Sequence, residues 1–92
     1  MTPLTNLQIR PLKAQAQRLK ATFKVGRQGL SAEFIAALDE AWKHHELVKV
    51  KFDEFKDERR TLSAQMAERT GSQCIWIVGH VAVLFRPKPV EP

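Results

Sequence analysis

The sequence predicts an α/β fold in a single domain, with element order α-β-α-β-α-β-β and a four-stranded mixed sheet carrying three helices. Three observations predict it. Apolar residues recur at helical spacing in separate stretches, residues 48–52 alternate between apolar and charged, and two nearly all-apolar runs near the end are joined by Gly79-His80. Strands linked through helices lie parallel with right-handed crossovers, whereas a tight hairpin adds an antiparallel pair. Ninety-two residues suffice for one core and leave little for a second.

In chain order, Thr5 to Leu19 places Leu12, Ala16 and Leu19 at helical spacing, and Thr5 with Gln8 has the form of a capping box. Pro11 lacks an amide proton and crowds the preceding turn, so the helix either starts early and is distorted there or begins near Arg10. The early start is the reading adopted. Thr22 to Val25 is short, partly β-branched and ends at Gly26, which marks a first strand. Ser31 is a good N-cap with Glu33 in the first turn, and Phe34, Ile35, Leu38, Ala41 and Trp42 form one apolar stripe running to about His44-His45. Leu47 to Phe52 is the second strand, with Val48, Val50 and Phe52 on one face and Lys49 and Lys51 on the other. Arg59 to Thr70 is the third helix, with Leu62 and Met66 inward and Gly71 where a left-handed cap belongs. Cys74 to Val78 and Val81 to Phe85 then form the hairpin strands, turning at Gly79-His80. Their apolar character calls for cover on both faces: helices two and three on one, helix one on part of the other. Residues 1–87 make the domain, and the proline-rich 88–92 reads as a disordered tail.

Net charge is +5, and its distribution says more than its total. Arg10, Lys13, Arg18, Lys20, Lys24 and Arg27 all precede the first acid, Glu33, while Asp53, Glu54, Asp57 and Glu58 cluster later. That asymmetry creates a local positive field suited to polyanions; its plain alternative is a solvated basic surface. No run approaches the roughly 18 apolar residues of a membrane span, and the N-terminus lacks a secretory pattern. One cysteine excludes an internal disulfide framework and fits a reducing compartment, so the cytoplasm is the expected location.

Gly26-Arg27-Gln28-Gly29 lies between the first strand and the second helix. Glycines let the backbone turn sharply and approach a ligand closely, the following helix start favours an anion, and Arg27 offers a phosphate-matching fork. A GxxG loop grips a nucleic-acid backbone in this way in KH domains. Taken alone, the pattern reads first as a strand-to-helix turn that needs glycine. Lys20 and Lys24 flank the loop, and Lys13 on the first helix extends the patch.

The other candidates are weaker. His44-His45-Glu46 lacks metal-ligand spacing, so no metal or cofactor is expected. Cys74 and His80 lie at opposite ends of a strand with no orienting acid, and Cys74 reads as core. Trp42 sits on the apolar stripe, whereas Trp76 could stack on a base or dock a partner. No phosphate-binding lysine loop, nucleophile elbow or carboxylate pair appears, so an enzyme is not expected. Nothing in the sequence calls for more than a monomer.

Beyond these readings, the chain resembles the CRM domain family, whose bacterial single-domain members are the YhbY-type proteins. The resemblance spans Thr5 to Pro87. It rests on Val25-Gly26-Arg27-Gln28-Gly29-Leu30, on residues 44–51 (HHELVKVK), and on Thr70-Gly71 with Val78-Gly79 and Val83-Leu84-Phe85-Arg86-Pro87. It implies a fold similar to the C-terminal domain of bacterial translation initiation factor three. It also implies RNA binding: bacterial members associate with large-subunit ribosomal precursors, and plant relatives assist intron splicing. By position it assigns Gly26 to Gly29 as the family's loop, Lys49 and Lys51 as its basic second strand, and Arg86 as the arginine closing the last strand. Pro11 within the first helix and Ala21, where relatives often carry proline, are departures. The resulting expectation is a protein that binds large-subunit ribosomal RNA and assists ribosome assembly. The alternative is a protein-interaction adaptor docking through an apolar sheet face.

Overall fold

The structure, a computed structural model, describes residues 4–87; the tail reading for 88–92 lies outside them. The elements are α1 (Asn6–Gln17), β1 (Phe23–Val25), α2 (Ala32–Ala41), β2 (Leu47–Phe52), a short 3-10 turn (Lys56–Glu58), α3 (Arg59–Thr70), β3 (Gln73–Val78) and β4 (Val81–Phe85). They form one four-stranded sheet in the order β1-β2-β4-β3, with β1 parallel to β2 and the other pairs antiparallel. The mixed α/β architecture is the one expected.

Local chemistry sets most boundaries. Thr5 caps α1 in a complete capping box: the Gln8 amide donates to Thr5 Oγ1 at 3.4 Å, and Gln8 Oε1 accepts the Thr5 amide at 2.8 Å. The helix therefore starts early and carries Pro11 inside it, leaving the Leu7 carbonyl without its usual donor. Ser31 caps α2, its Oγ accepting the Phe34 amide at 3.1 Å. This helix stops at Ala41, earlier than the sequence suggests, and turns through His44 and His45, whose amides donate to the Ala41 carbonyl. Gly71 ends α3 at φ 65°. At the hairpin only Gly79 of the two turn residues has positive φ, the glycine-first pattern of a II′ turn.

The sheet separates two cores. On one face α2 and α3 enclose Val25, Leu38, Trp42, Val48, Val50, Phe52, Met66, Ala82 and Leu84. On the other, α1 packs Ala16 against Ile75, Val83 and Phe85, with Leu12 and Leu47 beside them. A bulge in β3 gives the second core its shape. Cys74 pairs with Leu84 but Trp76 with Val83, so Ile75 is an extra residue and the alternation shifts by one. Ile75 and Trp76 both reach the α1 side, while Cys74 and Ile77 pack toward α2 and α3.

Candidate nucleic-acid interface

Val25 pairs with Phe52 at the end of the parallel ladder, and the chain leaves the sheet there into Gly26. The Gly29 amide donates to the Gly26 carbonyl at 3.0 Å, closing a turn whose tip is Arg27-Gln28. Arg27 and Gln28 are exposed and have negative φ, while Gly29 sits at φ 61°. The two glycines therefore differ in what they do. Gly29 meets a backbone requirement, since a Cβ at positive φ is strained. Gly26 lies outside that region, and a Cβ built on it meets nothing within 4 Å. The fold itself would accept alanine at Gly26, so any advantage of a bare backbone there lies in what approaches from outside.

Beyond the turn, the first amides of α2 lack intrahelical acceptors. Arg69, from α3, reaches this exit and donates through Nη1 to the Leu30 carbonyl at 3.4 Å. In sequence it reads only as a last-turn cation of α3; nothing local signals its approach to the loop.

Register builds the adjoining surface. Lys24 lies opposite Lys51, Lys51 opposite Val81, and Val81 opposite Val78, making one row across the sheet on the face that carries α1. Lys24, Lys51 and Val78 are exposed and Val81 is half-buried, so α1 leaves this end of the face uncovered. Two ammonium groups on directly opposed positions repel. Asp53 partly offsets this at 3.8 Å from Lys51, while Lys24 and Arg27 have no ion pair among the described residues. An anion at this end of the sheet would relieve a repulsion built into the fold.

The remaining cations divide. Lys49 shares the Lys51 face, but its Nζ donates to the Leu19 carbonyl at 3.0 Å, tying the end of α1 to the sheet. Lys13 lies over Trp76, with Nζ 5.2 Å from the ring centroid, so Trp76 is a half-buried base for a cation. Lys20 is exposed beside Thr22, His45 and Lys49, at the opposite end of β1 from the loop. Arg86 is at the far end: its amide donates to the Glu46 carbonyl at 2.9 Å, roughly 17 Å of strand from the glycine turn. Thus Gly26, Arg27, Gln28, Gly29, Lys24 and Lys51 are brought together, while Lys13 and Lys49 lie farther along the α1 face and Lys20 and Arg86 stand at the other end of the sheet.

The features relevant to catalysis are sparse. Burial pushes the Cys74 thiol above its usual range, only partly offset by hydrogen bonding with the Trp76 backbone and the Ser63 side chain, so little thiolate forms at neutral pH. Among the described residues no three His, Cys, Asp or Glu side chains converge as a metal site, and no helix is long and apolar enough to cross a membrane. A concavity of about 560 Å³ lies between the end of α1 and the α2–β2 connection. Its titratable side chains, Arg18, His44, His45 and Glu46, are exposed, giving an open groove instead of a water-excluded site.

Comparison with known proteins adds ancestry to this geometry. The model of the CRS1 / YhbY (CRM) domain matches residues 4–86. An RNA-binding protein of Haemophilus influenzae is 35% identical, with 95% of this chain and 89% of the relative covered. A protein of Pseudomonas aeruginosa, named as a probable RNA-binding protein, is 31% identical over 94% of this chain and 84% of its own length. The solution structure of the hypothetical protein SAV1595 from Staphylococcus aureus superimposes with a TM-score of 0.80 at 26% identity, covering 98% of this chain and 95% of that one. With nearly its whole length matched by the family model and its fold shared with a solved relative, the chain belongs to the CRS1 / YhbY (CRM) domain family.

Proposed function

We propose that this protein is a non-catalytic, monomeric RNA-binding protein that engages large-subunit ribosomal RNA in pre-ribosomal particles and assists their assembly. The observation that carries the binding mode is the register setting Lys24 beside Lys51 directly below the Gly26-Arg27-Gln28-Gly29 turn. The turn offers bare backbone and Arg27 to a phosphate, and the lysine row holds the next stretch of the strand. RNA as ligand is supported by the RNA-binding names of the relatives; the large-subunit assignment rests on the family resemblance.

Sucrose-gradient sedimentation of cell extract tests the assignment. The protein is expected to migrate with large-subunit precursors and to shift to the top of the gradient after nuclease treatment. Nuclease-resistant association with a single protein would instead establish the adaptor reading. On isolated RNA, changing Lys24 and Lys51 together to glutamine is expected to flatten the slope of log affinity against log salt by roughly 1 to 2. An unaltered slope would remove the sheet row from the interface. Lys49 is a poorer choice for this test, because its ammonium already serves the Leu19 carbonyl.

A further inference from the structure

Phe55 stands out among the residues around the loop. It follows β2 in the connection to α3 and adopts the left-handed conformation, φ 57° and ψ 37°, the only described residue other than glycine with positive φ. A bulky side chain there costs backbone energy that glycine or asparagine would largely avoid. Nor does the side chain serve either core: Phe55 is 41% exposed. The ring lies against the glycine turn. A methyl group placed on Gly29 would lie 3.5 Å from Phe55 Cε2 and 3.9 Å from Cζ, so the ring edge covers Gly29 and much of the ring stays in water. A strained, exposed aromatic seated on the last residue of a loop is a motive to look for function.

The charge around Phe55 narrows what the ring can receive. Glu54, Asp57 and Glu58 outweigh the single cation Lys56 in the same connection and all four are exposed, with Asp53 turned to Lys51, whereas Lys24 and Arg27 lie on the loop side. A nucleic-acid backbone held at the turn is repelled from the acidic side and attracted to the basic one. The group that turns toward Phe55 is therefore a base, which is uncharged and presents a flat apolar face. Aromatic rings bind such faces by stacking, provided the base is free of its own helical stack.

We propose that Phe55 is a stacking residue for one unpaired base of the RNA held at the glycine loop, which makes bulged or single-stranded RNA, and not continuous duplex, the ligand class of this site. This rests on the RNA-binding reading above and adds to it the kind of RNA recognised. The acidic connection then has a role too, since it steers the backbone so that the base faces the ring.

The test uses two short RNA hairpins, identical except that one carries a single bulged adenosine, and four proteins: the wild type, Phe55→Ala, Phe55→Leu and Phe55→Trp. Wild type and Phe55→Trp are expected to bind the bulged hairpin roughly 5- to 150-fold more tightly than the paired one, the span of one base–aromatic stack. Phe55→Ala is expected to lose that preference while keeping the wild-type salt slope, because a stack neutralises no phosphate. Phe55→Leu keeps apolar cover over Gly29 and separates support of the loop from stacking; it is expected to lose the preference as well. A preference retained in Phe55→Leu, or an equal loss of affinity on both hairpins in Phe55→Ala, overturns the proposal while leaving RNA binding standing. Wild-type binding to both hairpins without discrimination overturns it likewise. Failure of the wild type to bind either hairpin overturns the RNA-binding reading and this proposal together.

Discussion

Changing Arg27 and Gln28 together to aspartate is expected to weaken binding to a structured RNA by roughly 10- to 100-fold at fixed moderate salt, with no loss of folding. The pair changes the turn tip from +1 to −2. Both side chains are exposed, so the added charges act on a ligand and not on the core. At separations shorter than a Debye length of about 8 Å such charges are only weakly screened from an approaching phosphate. The fold tolerates the change because aspartate suits a turn with negative φ at both central positions. Gly26→Ala completes the experiment. It is expected to leave stability unchanged or raise it by about 0.4–1 kcal/mol, since it restrains the unfolded chain and meets no neighbour. Reduced affinity in that variant would show a ligand backbone pressed against the glycine. Calorimetric melting beside an equilibrium binding titration reads both quantities, and unchanged affinity in the double aspartate variant would remove the loop from the interface.

What the sequence revealed depends on how local the signal was. The third helix runs from Arg59 to Thr70 as expected because Gly71 supplies a stop that needs no tertiary context. The start of α1 was legible for the same reason: a capping box lies within four consecutive residues, and it outweighed Pro11. The assignment of α2 and α3 to one face and α1 to the other followed from apolar strands that required cover on both sides. The bulge at Ile75 was not legible, since a continuous apolar run has no alternation for an extra residue to interrupt. Its consequence is the placement of Trp76 on the α1 face beneath Lys13.

The candidate site divides in the same way. The glycine turn could be read from its residues, and the pairing of Lys24 with Lys51 is a simple consequence of a parallel strand pair. The hydrogen bond from Lys49 to the Leu19 carbonyl links residues 30 positions apart and gives Lys49 a bracing role that its sequence neighbours do not signal. Arg86 matched by motif, yet a motif carries no distance, and the antiparallel β2–β4 register sets it beside Glu46 at the far end. Phe55 was hidden among acids in what reads as a solvated turn. Only the folded backbone shows its left-handed conformation and its contact with Gly29.

Phe52→Ala should be the most damaging single change to the fold, lowering unfolding free energy by about 3–5 kcal/mol. The ring is fully buried in the α2–α3 core, so its removal loses apolar burial and leaves a cavity that a sheet on one side and two helices on the other cannot easily close. For a domain of this size that is a large part of a total of roughly 5–10 kcal/mol. Urea unfolding is expected to show a lower midpoint with an unchanged slope, as for a loss of stability without a change in exposed surface. The effect should also reach the interface. The Phe52 amide donates to the His80 carbonyl at 2.7 Å, and the next two amides, of Asp53 and Glu54, both donate to the Val25 carbonyl at 3.1 Å. These bonds tie the hairpin tip, the start of the Phe55 connection and the strand leading into Gly26 to one point above a single buried ring. Phe52→Leu keeps most of the volume and is expected to cost far less, about 1 kcal/mol. If Phe52→Ala bound RNA with wild-type affinity at temperatures where it remains folded, the core would be supplying only stability. A loss of affinity in the folded protein, restored by leucine, would show that packing beneath β2 holds the loop and the Phe55 connection in the geometry that binding requires.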